Sequence, residues 1–514
     1  MNKRLMAVFL LILSLGLLNA QNKTESPDTL SRWSAPTSDS FRFSKTSGNR
    51  SADDSLYAFN DSLRMKKYPW RAIAQNIGLN IAVWGFNHFA MKEGFAKISF
   101  RSISQNISHG FYWDNDGFAT NLLAHPYSGG IYFNTARSNG ISFWNSAIYS
   151  FGGSFIWEMI GENQPPSTND LLSTTVGGIA MGEITHRVSS VILDDSQRGF
   201  ERFIRELAGM VISPVRGFNW VITGDAWKVR NKYFKYHDFN KIPVKYSATL
   251  GYRFIADEHR FNKSSYLPYV EFNLIYGDPW KENNKPYDYF NLNVVLNMDG
   301  SQPVFGSVNL AAKLYGQLLE PKEGHKILLG LFQHYDYYDS KYLTRNSVNA
   351  PYKISETVAL GIGALYQFPS VGNISIRQHS YLNAILLGGC LTDYYRIDQR
   401  TYNLGSGYSI KSKTNIDFGR YASFELILND YHIFTSKGYN IETYKTIDPY
   451  FLNSQGDKGE AHFTLINPSV EFNLSSKLAL NMALFYYLRY MNYIYYRNSF
   501  NYAFETRLGL RYNF

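Results

Sequence analysis

Long alternating segments fill the C-terminal half of the chain. The last of them, residues 501–514, reads NYAFETRLGLRYNF, in which most even-numbered residues are apolar and most odd-numbered residues are polar or small. Successive side chains of a β-strand point to opposite faces, so the pattern predicts a strand with apolar surroundings on one side and water on the other. An amphipathic strand of a soluble sandwich has the same pattern, and one segment does not separate the two folds.

The alternation recurs upstream, which favours a membrane barrel. Turn-like segments such as NMDGSQP and NSQGDKGE separate the predicted strands. These strands lie near residues 245–255, 266–277, 289–298, 304–318, 325–337, 353–366, 373–393, 404–416, 419–434, 440–450, 460–474, 477–490 and 501–514. A membrane-spanning strand needs about 9 to 11 residues, and its backbone must pair within a closed sheet because lipid offers no hydrogen-bond partner.

The predicted fold class is therefore mainly β. We expect a transmembrane antiparallel β-barrel of about 12 strands, preceded by a helical domain that plugs or packs against the barrel from the lumenal or periplasmic side. In such a barrel Leu480, Leu510 and Phe514 point outward against hydrocarbon.

Composition agrees with this fold. Aromatic residues make up 17% of the chain, which suits a barrel with aromatic girdles at both membrane interfaces. The net charge of +9 fits scattered loop charges better than a lipid-binding patch, because Lys and Arg form no dense block. Cys390 is the only cysteine, so the chain has no internal disulfide.

The N-terminal residues predict export. Lys3 and Arg4 precede a short apolar run that ends in small residues before Gln21, which is typical of a signal peptide cleaved after Ala20. The predicted organisation is a signal peptide at 1–20, a flexible polar lead-in at 21–66, a helical domain at 67–235 and the barrel at 240–514. The expected location is the bacterial outer membrane.

Within the helical domain, residues 200–211 have helical periodicity. Phe200, Phe203 and Ile204 fall on one face, whereas Arg202 and Arg205 fall on the other. We interpret this as an amphipathic helix whose apolar face packs against the barrel or its own domain, although a position on the membrane surface is the alternative.

Residues 121–187 concentrate charged side chains among small and aromatic ones. The candidate polar cluster comprises His125, Arg137, Glu158, Glu162, Asp170, Glu183 and Arg187. On a helix, Glu158 would share a face with Glu162, and Glu183 with Arg187. Residues 167–170 supply helix-capping side chains, and His125 is predicted in a turn because Pro126 follows it. Charges in an apolar setting are costly unless paired, so a buried polar network is expected.

A catalytic use of this cluster is an open alternative. Carboxylates near a histidine could serve as acid and base, and Ser128 or Ser167 could be a nucleophile, but no Gly-x-Ser-x-Gly segment is present. Metal binding by His125, His186, Glu158 and Glu162 lacks the His-Glu-x-x-His spacing, so no metal site is predicted. No cofactor is implied, and without a nucleotide-binding motif no nucleic-acid partner is expected.

Several spaced motifs in this region resemble a known family. HPYSGG, TARSNG, Trp157-Glu158 followed by Glu162, PPSTNDL and GGIAMGE are similar to a bacterial outer-membrane family catalogued as domain of unknown function 3943. The resemblance covers roughly residues 70–235 and implies location and architecture but no reaction.

Three functions follow from these patterns. The first is a non-enzymatic barrel for solute or lipid passage or envelope integrity. The second is a lipid- or cell-wall-modifying enzyme that uses the acidic and histidine residues, and the third is a subunit of a larger outer-membrane complex. The expected partners are outer-membrane lipids, including lipopolysaccharide, and the barrel-assembly machinery, through the C-terminal strand that ends at Phe514.

Overall fold

In the part of the chain that the structure describes, eight α-helices precede a β-barrel. The computed structural model describes residues 67–194, 196–229, 243–257, 264–281, 285–343, 350–397, 400–447 and 452–514. The helices are α1 (Pro69–Gly85), α2 (Phe100–His109), α3 (His125–Arg137), α4 (Phe143–Ile156), α5 (Thr168–Leu172), α6 (Gly178–Ile192), α7 (Gly199–Ile212) and α8 (Pro214–Ile222). The predicted signal peptide and polar lead-in lie outside the described residues.

Twelve antiparallel strands close the barrel. They are β1 (Val244–Asp257), β2 (Ser264–Tyr276), β3 (Phe290–Asn297), β4 (Phe305–Leu319), β5 (Lys326–Asp339), β6 (Lys353–Gln367), β7 (Ile374–Leu391), β8 (Tyr402–Phe418), β9 (Ala422–Thr435), β10 (Gly459–Asn473), β11 (Leu478–Tyr493) and β12 (Ser499–Asn513). Each strand pairs with its neighbours in sequence, and β12 closes onto β1 with Leu250 opposite Leu510. Closure satisfies the backbone without water, and the predicted fold class is confirmed.

One predicted strand is wrong. Residues 440–450 contain a short helix, α9 (Ile441–Thr446), in the long connection between β9 and β10. The Asn440 side chain caps this helix by accepting a hydrogen bond of 2.9 Å from the Thr443 amide. The apolar alternation there is too short to outweigh this cap.

The two faces of the wall differ as the alternation predicts. Leu508 and Leu510 point outward and are about half exposed, whereas Arg507 between neighbouring outward positions points into the lumen and is buried. Leu480 lies opposite Leu510. Where β1 begins and β12 ends, the ring of Phe514 stacks on that of Tyr246, with centroids 5.0 Å apart. We call this end of the barrel the turn end and the opposite end the loop end.

The helical domain packs against the outside of the barrel. Tyr335 alternates in β5 with the lumen-lining Asp336, so its ring points outward, and its hydroxyl donates to the Leu122 carbonyl. One buried core unites the helix residues with outward strand residues: Phe118, Leu122, Phe133, Phe143, Ala180 and Ile184 with Phe290, Val308, Leu310, Tyr335, Tyr337, Val358, Leu387, Tyr402 and Leu404. The expected lumenal or periplasmic position is therefore wrong.

The contact runs along the height of the wall. At the loop end, the Tyr402 hydroxyl donates to the Asp116 carbonyl over 3.0 Å. Towards the turn end, Arg187 donates to the Pro286 carbonyl over 2.8 Å, in the connection between β2 and β3. Packing against the barrel is thus confirmed, but on the face that the alternating pattern assigns to lipid.

The outer helices carry their apolar side chains outward. Helix α4 exposes Trp144, Ile148, Phe151 and Phe155 along one stripe, whereas Ser150 is fully buried on its inner face. An exposed apolar stripe of this size is unfavourable in water and favourable against hydrocarbon, where small residues mediate helix contacts. Among the described residues, no helix combines the length and apolarity needed to cross a bilayer.

Helix α7 has the same orientation. The helix predicted at 200–211 is confirmed, but its buried face is not the predicted one: Phe200 and Phe203 are 75% and 57% exposed, whereas Arg202 and Arg205 are buried together with Ile204. Arg202 contacts Glu206 at 2.7 Å, one turn along the helix. The prediction that the apolar face packs against protein therefore holds for Ile204 but not for the two phenylalanines, because intrahelical ion pairs allow the arginines to be buried.

Helices α3 and α6 cross with their backbones in contact. A Cβ atom added to Gly129 would lie 1.7 Å from the Thr174 carbonyl oxygen, and one added to Gly178 would lie 2.6 Å from Gly129 Cα. Only glycine allows this approach, which brings the two helices together on the barrel wall.

We expect Gly129→Ala to lower the free energy of unfolding by at least about 2 kcal/mol, because a backbone carbonyl cannot move aside cheaply. Gly152→Ala is the matched control. A Cβ there meets nothing within 4 Å, so this helical substitution should be neutral or stabilising by up to about 1 kcal/mol. Urea midpoints of the folded protein in detergent measure both, and equal midpoints would contradict the packing described here.

Candidate functional site

Six of the seven residues predicted as a polar cluster fall into two groups, and Glu162 belongs to neither. The acidic group consists of His125, Glu158 and Asp170, together with Asp114. The arginine group consists of Arg137, Glu183 and Arg187. Glu162 lies just after the helical segment that contains Glu158, and the backbone of Glu162 is extended. The expectation that Glu158 and Glu162 share a helix face is therefore wrong.

Irregular helical turns position the acidic group. A π-helical turn precedes α3 (Thr120–Ala124), another follows α4 (Trp157–Gly161), and a third joins α5 to α6 (Ser173–Gly177). Such turns are common at functional sites. They also explain the wrong prediction for His125, which lies in a helix and not in a turn. The wider π-helical turn before Pro126 accommodates the residue that lacks an amide hydrogen.

The side chains of the acidic group make hydrogen bonds and an ion-pair contact. The Asp114 carboxylate accepts from Asn121 over 2.7 Å and from Asn169 over 2.9 Å. His125 Nε2 lies 3.4 Å from Asp170 Oδ1. Glu158 accepts a 2.7 Å bond from the Ser167 amide, at the helix start that Ser167 caps as predicted.

The electrostatics of this group favour a single net negative charge. Burial raises the pKa of Glu158 to about 8, and nearby Asp114 adds to this. Burial, followed by the charge of Asp114, holds the pKa of Asp170 well above its usual range. Burial would also raise the pKa of Asp114, but hydrogen bonds from Asp170, Asn121 and Asn169 outweigh it and lower that pKa. The surroundings therefore favour the ionised form of Asp114 and the protonated forms of Asp170 and Glu158.

The arginine group joins two helices to the barrel. Glu183 on α6 is fully buried and accepts from Arg137 on α3 over 2.7 and 2.9 Å. It also accepts from Arg187 over 2.8 Å. Burial acts to raise the pKa of Glu183, but the two guanidinium groups lower it below its usual value. Arg187 continues to the Pro286 carbonyl, so this ion triad is a structural connection.

The remaining sequence-based candidates are not brought together. Among the described residues, the donor atoms of His125, His186, Glu158 and Glu162 form no group with the spacing of metal ligands. Glu158 and Asp170 are both buried and paired, an arrangement that favours a structural role over catalysis. A functional role of this set stays a prediction. Asp114, Asn121 and Asn169 were missed, although the polar run WDNDGFATN contains two of them.

The barrel lumen holds a second candidate site. A cavity of about 550 Å³ lies between the middle of the barrel and the turn end. Its wall carries both charge signs, paired across strands: Lys411 with Asp336 at 2.7 Å, and Lys413 with Glu425 at 2.8 Å. The wall is also rich in amides, namely Asn273, Asn291, Asn293, Asn309, Asn415, Asn429, Asn467, Asn481 and Asn513. Such a wall suits a small polar solute.

An aromatic layer lies above the cavity on the side of the loop end. Tyr352, in the connection between β5 and β6, stacks on Tyr487 with ring centroids 4.0 Å apart and donates to Glu505 over 2.8 Å. Tyr338 and Phe485 line the cavity and belong to the same buried core. In the sequence, the alternation of the strands indicates which side chains point into the lumen. It does not indicate which of these side chains contact one another across the lumen.

Part of the chain matches a known protein family. Residues 110–215 match the family model described as domain of unknown function (DUF3943), which confirms the resemblance over a shorter range than 70–235. The comparison with curated proteins found no match.

Solved structures similar to the chain are outer-membrane barrels. The NanC porin is 8% identical over 51% of this chain and 98% of its own, with a TM-score of 0.24. Omp33 of Acinetobacter baumannii is 8% identical over 53% and 98%, with a TM-score of 0.22. The outer-membrane channel DcaP of the same organism is 6% identical over 53% and 97%, with a TM-score of 0.22.

We expect Glu183→Gln to be far more harmful than Glu158→Gln at pH 7. Removing the charge of Glu183 leaves two buried guanidinium groups without their counter-ion, which costs about 3 to 5 kcal/mol. Burial favours the protonated form of Glu158 in the folded protein, whereas the unfolded chain is ionised at pH 7, so an amide of the same shape removes the cost of protonation and should leave the unfolding free energy unchanged or raise it. Urea unfolding followed by tryptophan fluorescence tests this order, and a reversed order would refute it.

The raised pKa of Glu158 also predicts a pH dependence. Its contribution to stability is fully present below the ordinary value of 4.5 and is lost as the pH rises through about 8. We therefore expect the urea midpoint of the wild-type protein to decrease as the pH is raised from 5 to 9. In Glu158→Gln this decrease should be smaller but still present, since Asp170 titrates in the same direction. An unchanged pH profile in the variant would show that Glu158 is ionised throughout.

Proposed function

We propose that the chain is a non-enzymatic outer-membrane barrel whose lumen serves the passage of small polar solutes and is closed at the loop end in this conformation. The observation that carries the proposal is the polar cavity of about 550 Å³ beneath the aromatic layer. A solute entering from the turn end meets paired charges and amides, but stops at the stacked rings of Tyr352 and Tyr487.

The paired charges bear on selectivity. Lys411 contacts both Asp336 and Glu356, at 2.7 and 3.1 Å, so little of its charge is left to attract an anion. Arg511 is likewise shared between Glu271 and Glu471. The lumen therefore suits uncharged or zwitterionic solutes rather than a strongly selective ion current.

The two alternatives have less support. A lipid- or cell-wall-modifying enzyme would need reactive groups open to substrate, whereas Glu158 and Asp170 are buried and hydrogen-bonded. Membership of a larger complex stays a prediction. The helical wall is compatible with it, but its exposed apolar stripe suits lipid equally well.

Location and partners belong to the same proposal. Outward apolar residues such as Leu250 and Ile362 suit contact with outer-membrane lipids, including lipopolysaccharide. The assembly machinery would read the strand that ends at Phe514 before it pairs with β1. A signal peptide that is cleaved after Ala20 would direct export of the chain to the periplasm.

We expect the wild-type protein to show low conductance in a planar bilayer and the double variant Tyr352→Ala, Tyr487→Ala to conduct several-fold more, because it removes the stacked pair from the lumen. Leu508→Ala, on the outward face, is the matched control and should conduct as wild type. An unchanged conductance in a correctly folded double variant would count against a passage closed by this layer.

A further inference from the structure

A row of polar and aromatic side chains crosses the outward face of the barrel near the loop end. Tyr408 lies opposite His432, His432 opposite His462, and His462 opposite Tyr490, on the four successive strands β8 to β11. Glu460 lies two residues before His462 and therefore shares its face. Aromatic residues at this height are expected of a membrane-interface girdle, but two histidines and a carboxylate are not.

The three titratable side chains approach one another closely. One donor atom each from His432, Glu460 and His462 lies within 4.8 Å of the other two. His432 Nε2 is 3.5 Å from Glu460 Oε2, and the two imidazole centroids are 3.7 Å apart. Ligands bound tetrahedrally to Zn²⁺ at about 2.0 to 2.2 Å are roughly 3.3 Å from each other, so one edge of such a site is already near its bound length.

His432 is oriented as a ligand. It is 8% exposed, and its Nδ1 atom lies 2.9 Å from the Tyr408 hydroxyl. When Nδ1 donates to that hydroxyl, Nε2 carries the lone pair. This buried Nε2 atom then faces the Glu460 carboxylate 3.5 Å away, and two acceptors at this distance repel unless a cation lies between them. A second residue that fixes the tautomer is typical of metal-binding histidines.

We propose that His432, Glu460 and His462 bind a divalent late transition metal such as Zn²⁺ on the outer face of the barrel. Imidazole and carboxylate ligands suit this class of ion, and three protein ligands leave one position for water. The site joins β9 to β10 at the base of the connection 436–458. Binding would therefore clamp the two strands where the longest loop-end connection begins. Tyr408 is a positioning residue that acts through His432.

Calorimetric titration of the full-length protein, folded in detergent and freed of metal with a chelator, tests the site with ZnCl₂. We expect one high-affinity ion per chain. His462→Ala and Glu460→Gln should each weaken binding at least about tenfold, and Tyr408→Phe should weaken it roughly 10-fold through the lost orientation of His432. His109→Ala is the control, because His109 is exposed on α2 and its ring nitrogen hydrogen-bonds within its own helix.

Folding is checked independently by the faster migration of an unheated barrel on a detergent gel. If His462→Ala fails to fold, the affinity of Glu460→Gln for Zn²⁺ tests the proposal. This variant should fold, because Gln keeps the shape of the partly exposed Glu460 side chain. Wild-type affinity in both ligand variants, or no stoichiometric Zn²⁺ binding by the wild type, would overturn the proposal. A thermal midpoint that Zn²⁺ raises in the wild type and in His109→Ala, but not in Glu460→Gln, would support it.

Discussion

Hydrocarbon offers no hydrogen-bond partner, and this constraint explains the main features of the structure. The sheet must close, and it does so where Leu250 on β1 meets Leu510 on β12. Polar side chains must lie in the lumen or between packed elements, where partners are available. The ion pair of Lys411 with Asp336 inside the barrel and the triad around Glu183 outside it are two solutions to the same problem.

The helical domain follows the same rule on the other side of the wall. Its outer helices expose Trp144 and Phe200, and its inner faces hold serine, asparagine and glycine. Close crossings such as Gly129 against Gly178 replace the large apolar core of a soluble domain. The outward residues Phe290, Leu310 and Tyr335 are buried in the core that Leu122 and Phe133 of the helical domain share with the barrel wall.

The sequence predicted the barrel well because strand alternation records directly which side chains face water. It could not predict where the helices lie, since an outward Leu310 looks the same whether its neighbour is a helix or a lipid chain. The exposed phenylalanines and buried arginines of α7 have a related cause. A period of 3.6 residues identifies a helix, but the pairing of Arg202 with Glu206 decides which face is buried. The split of the polar cluster depended on contacts between residues far apart in sequence, such as His125 with Asp170 and Arg137 with Glu183.

The helical domain and the connections at the loop end form one contact network. Arg400 donates to the Asp114 carbonyl, the Tyr395 hydroxyl donates to Asn115 over 2.6 Å, and the Trp113 amide donates to Asn453 over 3.1 Å. Asp114 also carries the ionised carboxylate of the acidic group. A rearrangement that opens the loop end by moving these connections must break contacts to the segment that holds this charge. The segment that holds the acidic group and the connections β7–β8 and β9–β10 are thus joined through a few residues, because the helices lie beside the barrel wall and not inside it.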